Sequence, residues 1–353
     1  MDGDGLSELA FCANQVKFGS DVDANVFTLS GAALKDVMLD GTTQPVADFF
    51  ETGQAAYYSY RGNHAICGPL TAIGDVDGDA MMDIAIPMPG PGAGDSGILV
   101  FGGSQLLDMM QEGGRIRVSP IDRFVSGAKE PFVHFTDNAA TGTEQHFMVN
   151  ALGDVTGDGI DDFSFGWGRY LRANDSAYIV RGDQDLLSDL GETRNLRSMI
   201  SNGGTIQLAA SPTNLGVNRA RVEHVHALPA LEDGSQEALI FVGAGESTGQ
   251  TFDSYILSAG DLPAGGTSIV SLPISGGGKL AIPRGNSRLL SYVKPVGDLN
   301  TDGYADLAIG WGTYDATGTQ DGGAVMLISG QEISAAHALG ETLRPNTMIY
   351  TPE

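Results

Sequence analysis

The segment GDVDGDAMMDIAI, residues 74–86, decides the fold, because the chain repeats its pattern. Two further full copies are GDVTGDGIDDFSF at 153–165 and GDLNTDGYADLAI at 297–309. A partial copy, DGDGLSELAF, lies at 2–11, and a degraded copy, EDGSQEALIF, lies at 232–241. Successive copies are separated by 75, 79, 75 and 69 residues when they are aligned on their third acidic position, which is occupied by Asp4, Asp79, Asp158, Asp233 and Asp302. The chain is therefore built from five related units.

Each copy is followed by the same order of short apolar segments. A β-branched or aromatic run follows the acidic loop, and a glycine-rich turn leads to a second run such as ILVFGG at 98–103. A helix-sized piece such as SQLLDMMQ comes next, and third strands are predicted at 115–119, 205–210 and 268–272. A fourth strand leads into the next loop. Such units predict antiparallel propeller blades, because a parallel sheet needs longer crossovers, and stacked solenoids usually have shorter repeats.

The expected fold is all-β, a β-propeller of four-stranded antiparallel blades with about five blades in this chain. One domain is expected over 1–353, with blades at about 1–50, 64–120, 145–211, 220–273 and 288–353. The first blade is expected to lack its first strand, because the chain begins inside an acidic loop. The sequence therefore predicts a piece of a longer propeller.

The composition is that of a folded, turn-rich chain with a large negative charge. Glycine contributes 50 of the 353 residues, and the formal net charge is −25. This charge disfavours nucleic acids and anionic membranes as partners and favours cations. Eleven of the acids lie in the three full loops. No long apolar run and no signal-peptide pattern is visible, so no membrane span is expected.

The chain has two cysteines, Cys12 and Cys67, which are too few for a disulfide framework. They are also too far apart in sequence to indicate a metal-binding pair. The sequence favours two buried thiols over a disulfide.

The acidic loops have the ligand spacing that calcium requires, with side chains at loop positions 1, 3, 5 and 9 and a backbone carbonyl at position 7. The predicted ligands are Asp75, Asp77, Asp79, Met81 and Asp83 in the first full loop, Asp154, Thr156, Asp158, Ile160 and Asp162 in the second, and Asp298, Asn300, Asp302, Tyr304 and Asp306 in the third. Weaker candidates in the opening copy are Asp2, Asp4, Leu6 and Glu8. The degraded copy is not expected to bind metal.

Three alternatives to calcium loops deserve comparison. An EF-hand needs flanking helices and a late glutamate, whereas these loops are flanked by predicted strands. Magnesium is less suited because it demands octahedral geometry and retains its waters. The remaining alternative is that aspartate and glycine simply favour turns.

The loops, together with the glycine-rich turns FGWG at 165–168, VGAGE at 242–246 and IGWG at 309–312, resemble the FG-GAP repeat family. This repeat is the unit of the integrin α-chain propeller and of many bacterial surface proteins, and the resemblance covers essentially the whole chain. It implies an extracellular, calcium-stabilised propeller, often of about seven blades. It also implies a glycan or protein ligand on the face opposite the calcium loops.

Aromatic and arginine residues are the candidates for that ligand face, because such side chains anchor interfaces. They are Tyr57, Tyr58, Tyr60, Arg61, Tyr170, Arg172 and Tyr314. The alternative is that these aromatic side chains pack on their own blades. Trp167 and Trp311 recur at one register, which predicts packing between blades.

A ligand-binding or adhesion module is the function that the sequence favours, at the cell surface or outside the cell as part of a longer protein. A structural scaffold and a carbohydrate-active enzyme, either a polysaccharide lyase or a hydrolase, are the alternatives. The available catalytic set is His64 with Tyr60 and Arg61. No motif of a serine hydrolase, zinc protease or P-loop enzyme is present, so no catalytic residue is assigned. The only expected cofactor is calcium.

Overall fold

The computed structural model describes residues 6–18, 21–60, 70–88, 97–111, 115–117, 132–136, 147–167, 176–210, 220–228, 239–246, 252–263, 269–272, 278–280, 292–311, 324–343 and 348–350. The described residues form five β-sheets and a few short helices, which confirms the all-β prediction. The chain divides into two compact units, Met1–Val149 with Gly182–Met199, and Asn150–Arg181 with Ile200–Glu353. Within the described residues, no helix is both long and apolar enough to cross a membrane.

The first unit contains sheets 1 and 2. Sheet 1 has the spatial order β1 (Leu9–Phe18), β2 (Asp21–Leu29), β3 (Ala55–Tyr60) and β7 (Arg115–Arg117). Sheet 2 has the order β4 (Thr71–Gly74), β5 (Asp83–Met88), β6 (Gly97–Phe101), β8 (Val133–Thr136) and β12 (Thr193–Asn195). The helices of this part of the sequence are α1 (Gly31–Asp40), α2 (Val46–Glu51) and α3 (Gly103–Gln111).

The second unit contains sheets 3, 4 and 5, apart from the first residues of β9. Sheet 3 has the order β9 (Phe147–Gly153), β10 (Asp162–Trp167), β11 (Ala177–Val180), β13 (Thr205–Ala210) and β17 (Ile269–Leu272). Sheet 4 has the order β14 (Ala220–Leu228), β15 (Leu239–Glu246), β16 (Phe252–Ser258), β18 (Gly278–Leu280) and β22 (Thr342–Leu343). Sheet 5 has the order β19 (Tyr292–Gly297), β20 (Asp306–Trp311), β21 (Ala324–Ile328) and β23 (Met348–Tyr350). Helices α4 (Leu196–Ile200) and α5 (Gly330–Leu339) and a 3-10 turn (Ala259–Asp261) complete the described elements.

Neighbouring sheets within each unit share an apolar core. All five residues of β6 are buried, as expected for a strand covered on both faces. In the first unit, Val26 of sheet 1 belongs to one core cluster with Ile86 and Phe101 of sheet 2. In the second unit, one cluster joins sheets 3 and 4 and another joins sheets 4 and 5. These apolar faces supply the main driving force for stacking the sheets.

Sheets 2 to 5 share one strand order. In each of these sheets, the first strand precedes the acidic loop, or its degraded counterpart, and the next two strands follow it. These three strands form an antiparallel set, and a fourth strand pairs antiparallel with the third. In sheet 1 the described strands begin with β1, which follows the opening loop. The repeated sequence therefore corresponds to a repeated antiparallel sheet.

Sheets 1 to 4 each contain one additional strand, whose pairing differs from the sequence-based expectation. The segment at 115–117 forms β7, which pairs in parallel with β3 of sheet 1 and does not join sheet 2. In the same way, β17 joins β13 of sheet 3, β12 joins β8 of sheet 2 and β22 joins β18 of sheet 4. We call β7, β12, β17 and β22 exchange strands, because each belongs by sequence to one repeat and pairs with the sheet of the preceding repeat.

Two exchange strands use the same local sequence and the same hydrogen bond. LGET occurs at 190–193 and at 339–342, immediately before or within β12 and β22. The carbonyl of Glu192 accepts the N–H of His134 at 3.0 Å, and the carbonyl of Glu341 accepts the N–H of Lys279 at 3.0 Å. Strands of two or three residues carry too little periodicity to specify a partner sheet, so the sequence alone did not predict β12 and β22. The sequence placed the segments that form β7 and β17 in their own repeats, and that placement was wrong.

The prediction of two free thiols is wrong for Cys12. Cys12 lies in β1, packs against the core of the first unit and is disulfide-bonded. The other cysteine, Cys67, lies outside the described residues. Disulfide formation depends on the distance between Cα atoms in the fold, which separation in sequence does not report.

Three helices begin with a glycine that touches the end of an acidic loop. A Cβ atom on Gly31 would lie 2.8 Å from Cβ of Leu6, and one on Gly103 would lie 2.6 Å from Cβ of Met81. A Cβ atom on Gly330 would overlap the carbonyl oxygen of Ala305. Because these contacts involve backbone or the first side-chain atom, the space cannot open by simple side-chain rotation.

We predict that Gly103→Ala lowers the free energy of unfolding by about 1–3 kcal/mol, because the loop and the helix must move apart. Urea unfolding of the purified chain measures this change. Gly310→Ala is the matched control, since its Cβ atom would meet nothing within 4 Å in strand β20. Equal stability of the Gly103→Ala variant and the parent chain would contradict the predicted close contact.

Candidate metal centre

The three full acidic loops connect the first two strands of sheets 2, 3 and 5. We call them loop 1 (74–83), loop 2 (153–162) and loop 3 (297–306). The last aspartate of each loop also begins the following strand, and Asp83, Asp162 and Asp306 are only 0%, 0% and 3% exposed. A fully buried carboxyl group at the same position in three repeats needs partners that compensate its lost hydration.

Backbone N–H groups supply these partners. Oδ2 of Asp83 accepts the N–H of Val76 at 2.8 Å, and its Oδ1 accepts the N–H of Gly103 at 2.8 Å. In loop 3, Asp306 accepts the N–H of Leu299 at 2.8 Å and that of Gly330 at 3.0 Å. The buried carboxylate thus fastens the loop to the first residue of helix α3 or α5, where the helix dipole favours negative charge.

The first aspartate of each loop holds the turn together. Asp75 accepts the N–H groups of Asp79 at 3.0 Å and Ala80 at 2.8 Å. Asp154 and Asp298 accept the corresponding pairs of N–H groups in loops 2 and 3. This shared pattern shows that the repeated spacing produces one repeated conformation.

Three positions of each loop have positive φ, and the first is the glycine that begins the loop, Gly74, Gly153 or Gly297. The other two are Gly78 and Ala80 in loop 1, Gly157 and Gly159 in loop 2, and Thr301 and Gly303 in loop 3. Ala80 at φ 67° and Thr301 at φ 61° are the described non-glycine residues with positive φ. Positive φ is sterically unfavourable for a residue with a Cβ atom, so loops 1 and 3 contain local strain.

Loop 1 brings three carboxyl groups together. One oxygen from each of Asp75, Asp77 and Asp83 lies within 4.8 Å of the others, and among the described residues this is the group of acids that meets the geometry of a metal site. Burial raises the pKa of Asp83 to about 7, and nearby Asp77 and Asp79 act in the same direction. Burial and the charge of Asp79 also raise the pKa of Asp77. A divalent cation at this point would compensate both the burial and the mutual repulsion.

Loops 2 and 3 replace one carboxylate with a neutral side chain. Thr156 in loop 2 directs its hydroxyl group toward Oδ1 of Asp162 at 3.4 Å. In loop 3, burial acts to raise the pKa of Asp302, but hydrogen bonds donated by Ser329, Asn300 and the N–H of Tyr304 outweigh it and hold the pKa below its usual value. In loop 3, internal hydrogen-bond donors therefore stabilise the charge of Asp302. Loop 1 is the strongest candidate for binding a cation.

The remaining predicted site residues are only partly described. Asp2, Asp4, Arg61, His64, Tyr170, Arg172 and Tyr314 lie outside the described residues. Leu6 touches Gly31, and Glu8 is half-buried at the position where the full loops have their buried aspartate. Tyr57, Tyr58 and Tyr60 lie in β3 between β2 and β7, and Trp167 and Trp311 end β10 and β20, but the side chains of these five residues are not described.

Sequence reasoning missed the glycines and the serine that meet the loops from a distance. Gly103 lies 20 residues after Asp83, and Gly330 lies 24 residues after Asp306. Ser329 donates its hydroxyl to Oδ2 of Asp302 at 2.7 Å and also caps helix α5 by accepting the N–H of Gln331. The repeated small residues at the end of the second apolar run, GG at 102–103 and SG at 329–330, were the available signal.

Comparisons with known proteins add no functional assignment. No protein-family model and no curated protein matches the chain. Among solved structures, the chain is similar to a Dos1 propeller, with 9% identity, a TM-score of 0.43, and coverage of 98% of this chain and 58% of that chain. A lignostilbene dioxygenase from Pseudomonas brassicacearum matches with 8% identity, a TM-score of 0.21, and coverage of 99% of this chain and 64% of that chain. The chain spans well under the full length of either protein, and both TM-scores are too low to carry an argument.

The raised pKa of Asp83 predicts a specific pH dependence without cations. Its stabilising contribution is complete below the ordinary pKa of 3.8, where the carboxyl group is protonated in both states, and is lost as the pH rises through about 7. In chelator-treated buffer, the free energy of unfolding should fall over this range by more in the parent chain than in Asp83→Asn. Urea unfolding at a series of pH values measures the difference. A difference that does not change with pH would refute the prediction.

The strained positions predict two stabilising substitutions. Ala80→Gly and Thr301→Gly should each raise the free energy of unfolding by up to about 1 kcal/mol, because glycine adopts positive φ without steric cost. Ala338→Gly, at an exposed position of helix α5, is the control and should lower stability by about 0.5–1 kcal/mol. Denaturant unfolding measures all three, and a loss of stability in Ala80→Gly would contradict the assigned strain.

Proposed function

We propose that this chain is a calcium-stabilised β-propeller segment of the FG-GAP type that serves as an extracellular ligand-binding or adhesion module. The observation that carries the proposal is the group of Asp75, Asp77 and Asp83, whose oxygens lie within 4.8 Å of one another. This group lies in loop 1, whose sequence pattern is repeated in loops 2 and 3. The repeated loop conformation supports the same role for loops 2 and 3 with weaker affinity.

The chemistry of the donor set favours calcium. Every proposed ligand is an oxygen, from carboxylates of Asp75, Asp77, Asp79 and Asp83 and from the carbonyl of Met81. Hard oxygen ligands on a short loop suit calcium, whereas zinc and copper sites draw on histidine or cysteine. In loops 2 and 3, Thr156 and Asn300 would take the place of Asp77.

A cation in loop 1 would stabilise more than the loop. Asp83 is hydrogen-bonded to the first N–H of helix α3 and begins strand β5. A bound cation would keep this buried carboxyl group ionised and would remove the repulsion among its neighbours. Because the folded state binds the cation and the unfolded state does not, binding would raise the stability of sheet 2 by mass action.

The propeller arrangement and the extracellular location rest on separate observations. The sheets repeat one antiparallel strand order and pack through their apolar faces within each unit. Both features support an arrangement of propeller blades. The disulfide-bonded Cys12 supports an oxidising compartment, where calcium is also abundant. A net charge of −25 is compatible with a cation-rich environment.

The proposed ligand is a glycan or a protein. Tyr57, Tyr58 and Tyr60 in β3, with Arg61, Tyr170, Arg172 and Tyr314, are the residues proposed to contact it, through stacking on sugar rings or burial in a protein interface.

Calcium binding is tested first by thermal unfolding of the full chain in chelator, in calcium and in magnesium. Calcium should raise the melting temperature more than magnesium does. Asp77→Asn should weaken calcium affinity by about tenfold or more, since it removes a charged ligand. Isothermal titration calorimetry measures the affinity of the parent chain and the variant.

Asp108→Asn provides the matched control, because Asp108 is an exposed acid on helix α3 of the same repeat. This substitution removes the same charge as Asp77→Asn. It should leave calcium affinity unchanged. No calcium-specific stabilisation, or equal losses of affinity in Asp77→Asn and Asp108→Asn, would overturn the proposed site.

A further inference from the structure

A segment of the third repeat packs on sheet 2, which belongs to the second repeat. Residues 182–199 follow β11 in sequence, and they group with the first compact unit together with sheet 2. They include the exchange strand β12, which pairs in parallel with β8. The ten residues before β12, DQDLLSDLGE at 183–192, consist of turns, and we call them the docking segment.

The docking segment begins at loop 1. The N–H of Asp183 donates to the carbonyl oxygen of Val76 at 3.0 Å. Val76 is fully buried, and its own N–H donates to Oδ2 of Asp83 at 2.8 Å. Val76 also lies between Asp75 and Asp77, which complete the group of acids in loop 1. A single buried residue therefore connects the docking segment with the candidate metal centre.

A second contact lies at the start of helix α3. Cδ1 of Leu187, a buried residue, would lie 3.4 Å from a Cβ atom on Gly102. The next residue, Gly103, donates its N–H to Oδ1 of Asp83 at 2.8 Å. The docking segment thus contacts the chain beside both of the N–H groups that bind the Asp83 carboxylate.

The other end of the docking segment is attached to the far side of sheet 2. The N–H of Gly191 donates to the carbonyl oxygen of Phe132 at 2.8 Å, and the N–H of His134 donates to the carbonyl oxygen of Glu192 at 3.0 Å. Strand β12 continues this pairing along β8. The docking segment therefore runs from loop 1, beside the first strand of the sheet, to the strand at the opposite edge.

Arg194 of β12 ties the turns of the docking segment to that strand. Its Nη2 atom donates to the carbonyl oxygen of Asp185 at 2.9 Å and to Oδ2 of Asp189 at 3.1 Å. The N–H of Asp185 in turn donates to Oδ1 of Asp183 at 2.9 Å. These bonds connect the residue that contacts loop 1 with β12, so loosening at one end favours loosening at the other.

The acids of loop 1 repel one another when they are ionised, because oxygens of Asp75, Asp77 and Asp83 lie within 4.8 Å. A divalent cation bound to them would remove this repulsion and fix the backbone on both sides of Val76. The carbonyl group of Val76 would then stay in place to accept the N–H of Asp183.

We propose that a cation bound in loop 1 stabilises the docking of residues 183–195 on sheet 2, and that this docking raises the affinity of loop 1 for the cation. The two effects are equal in free energy, because coupling between two binding equilibria is reciprocal. The inference rests on the proposed calcium site and adds to it a control by the third repeat.

Hydrogen exchange of the full chain in calcium and in chelator, resolved to single amides, tests the first effect. Calcium should slow exchange of the Asp183 and Gly191 amides by about tenfold, because both open when the docking segment leaves sheet 2. Amides of strand β2 in sheet 1 should change much less. Asp77→Asn should abolish the difference between calcium and chelator. Equal slowing in β2 and in the docking segment would overturn the proposed coupling.

Leu187→Ala tests the reciprocal effect. It removes the contact with Gly102 without changing a proposed ligand, so it should weaken binding at the tightest calcium site by about fivefold or more, measured by isothermal titration calorimetry. Leu29→Ala is the matched control, because Leu29 is equally buried in the same unit but belongs to a separate core cluster in sheet 1. This variant should lose stability and keep the calcium affinity of the parent chain.

The two measurements separate failure of the coupling from failure of the metal site. Calcium binding by the parent chain, with no change in exchange of residues 183–195, would overturn the coupling and leave the metal site standing. Equal calcium affinities of Leu187→Ala and Leu29→Ala would have the same meaning. Absence of calcium binding in the calorimeter would overturn the proposed site, and the coupling with it. Circular dichroism establishes that each variant is folded.

Discussion

The buried carboxylate at the end of each full acidic loop is the interaction on which the rest of the repeat depends. Asp83 joins the loop to the first residue of helix α3 through two backbone hydrogen bonds, and Asp306 does the same with helix α5. It stands at the first residue of the second strand, so its position sets where the antiparallel pairing begins. Glycine at the helix start is required because the loop approaches within van der Waals contact.

The same interaction creates an electrostatic problem that differs among the loops. In loop 1, Asp77 and Asp75 crowd a buried carboxyl group, and burial raises the pKa of Asp83 to about 7. In loop 3, Asn300 and Ser329 donate hydrogen bonds to Asp302 and hold its pKa low. One backbone conformation is thus combined with two electrostatic environments. In loop 1, burial and neighbouring carboxyl groups raise the pKa of Asp83, and in loop 3, internal donors lower the pKa of Asp302.

Strand exchange links the repeats in a second way. Each of sheets 2 to 5 receives four antiparallel strands from one repeat, and a helix or turn and an exchange strand lie between the third and the fourth in sequence. Sheets 1 to 4 each also receive a parallel strand from the next repeat. A sheet that has an exchange strand therefore also contains contacts between different repeats. Within sheet 2, the buried ring of His134 lies 3.3 Å from the hydroxyl of Thr193, and burial lowers its pKa to about 4, so the ring is neutral at physiological pH. A charged ring at this junction would lose its hydration.

The sequence by itself determined the all-β class, the five repeats and the positions of the aspartates that converge in loop 1. These features depend on local patterns, since glycine placement, alternation of apolar residues and ligand spacing act within about ten residues. Only the tertiary structure decided which sheet receives β7, β12, β17 and β22, that Cys12 is disulfide-bonded, and that Gly103 and Gly330 complete the buried carboxylate sites. Each of these depends on contacts between residues that are distant in sequence, and the two to four residues of an exchange strand contain too little information to choose their partner.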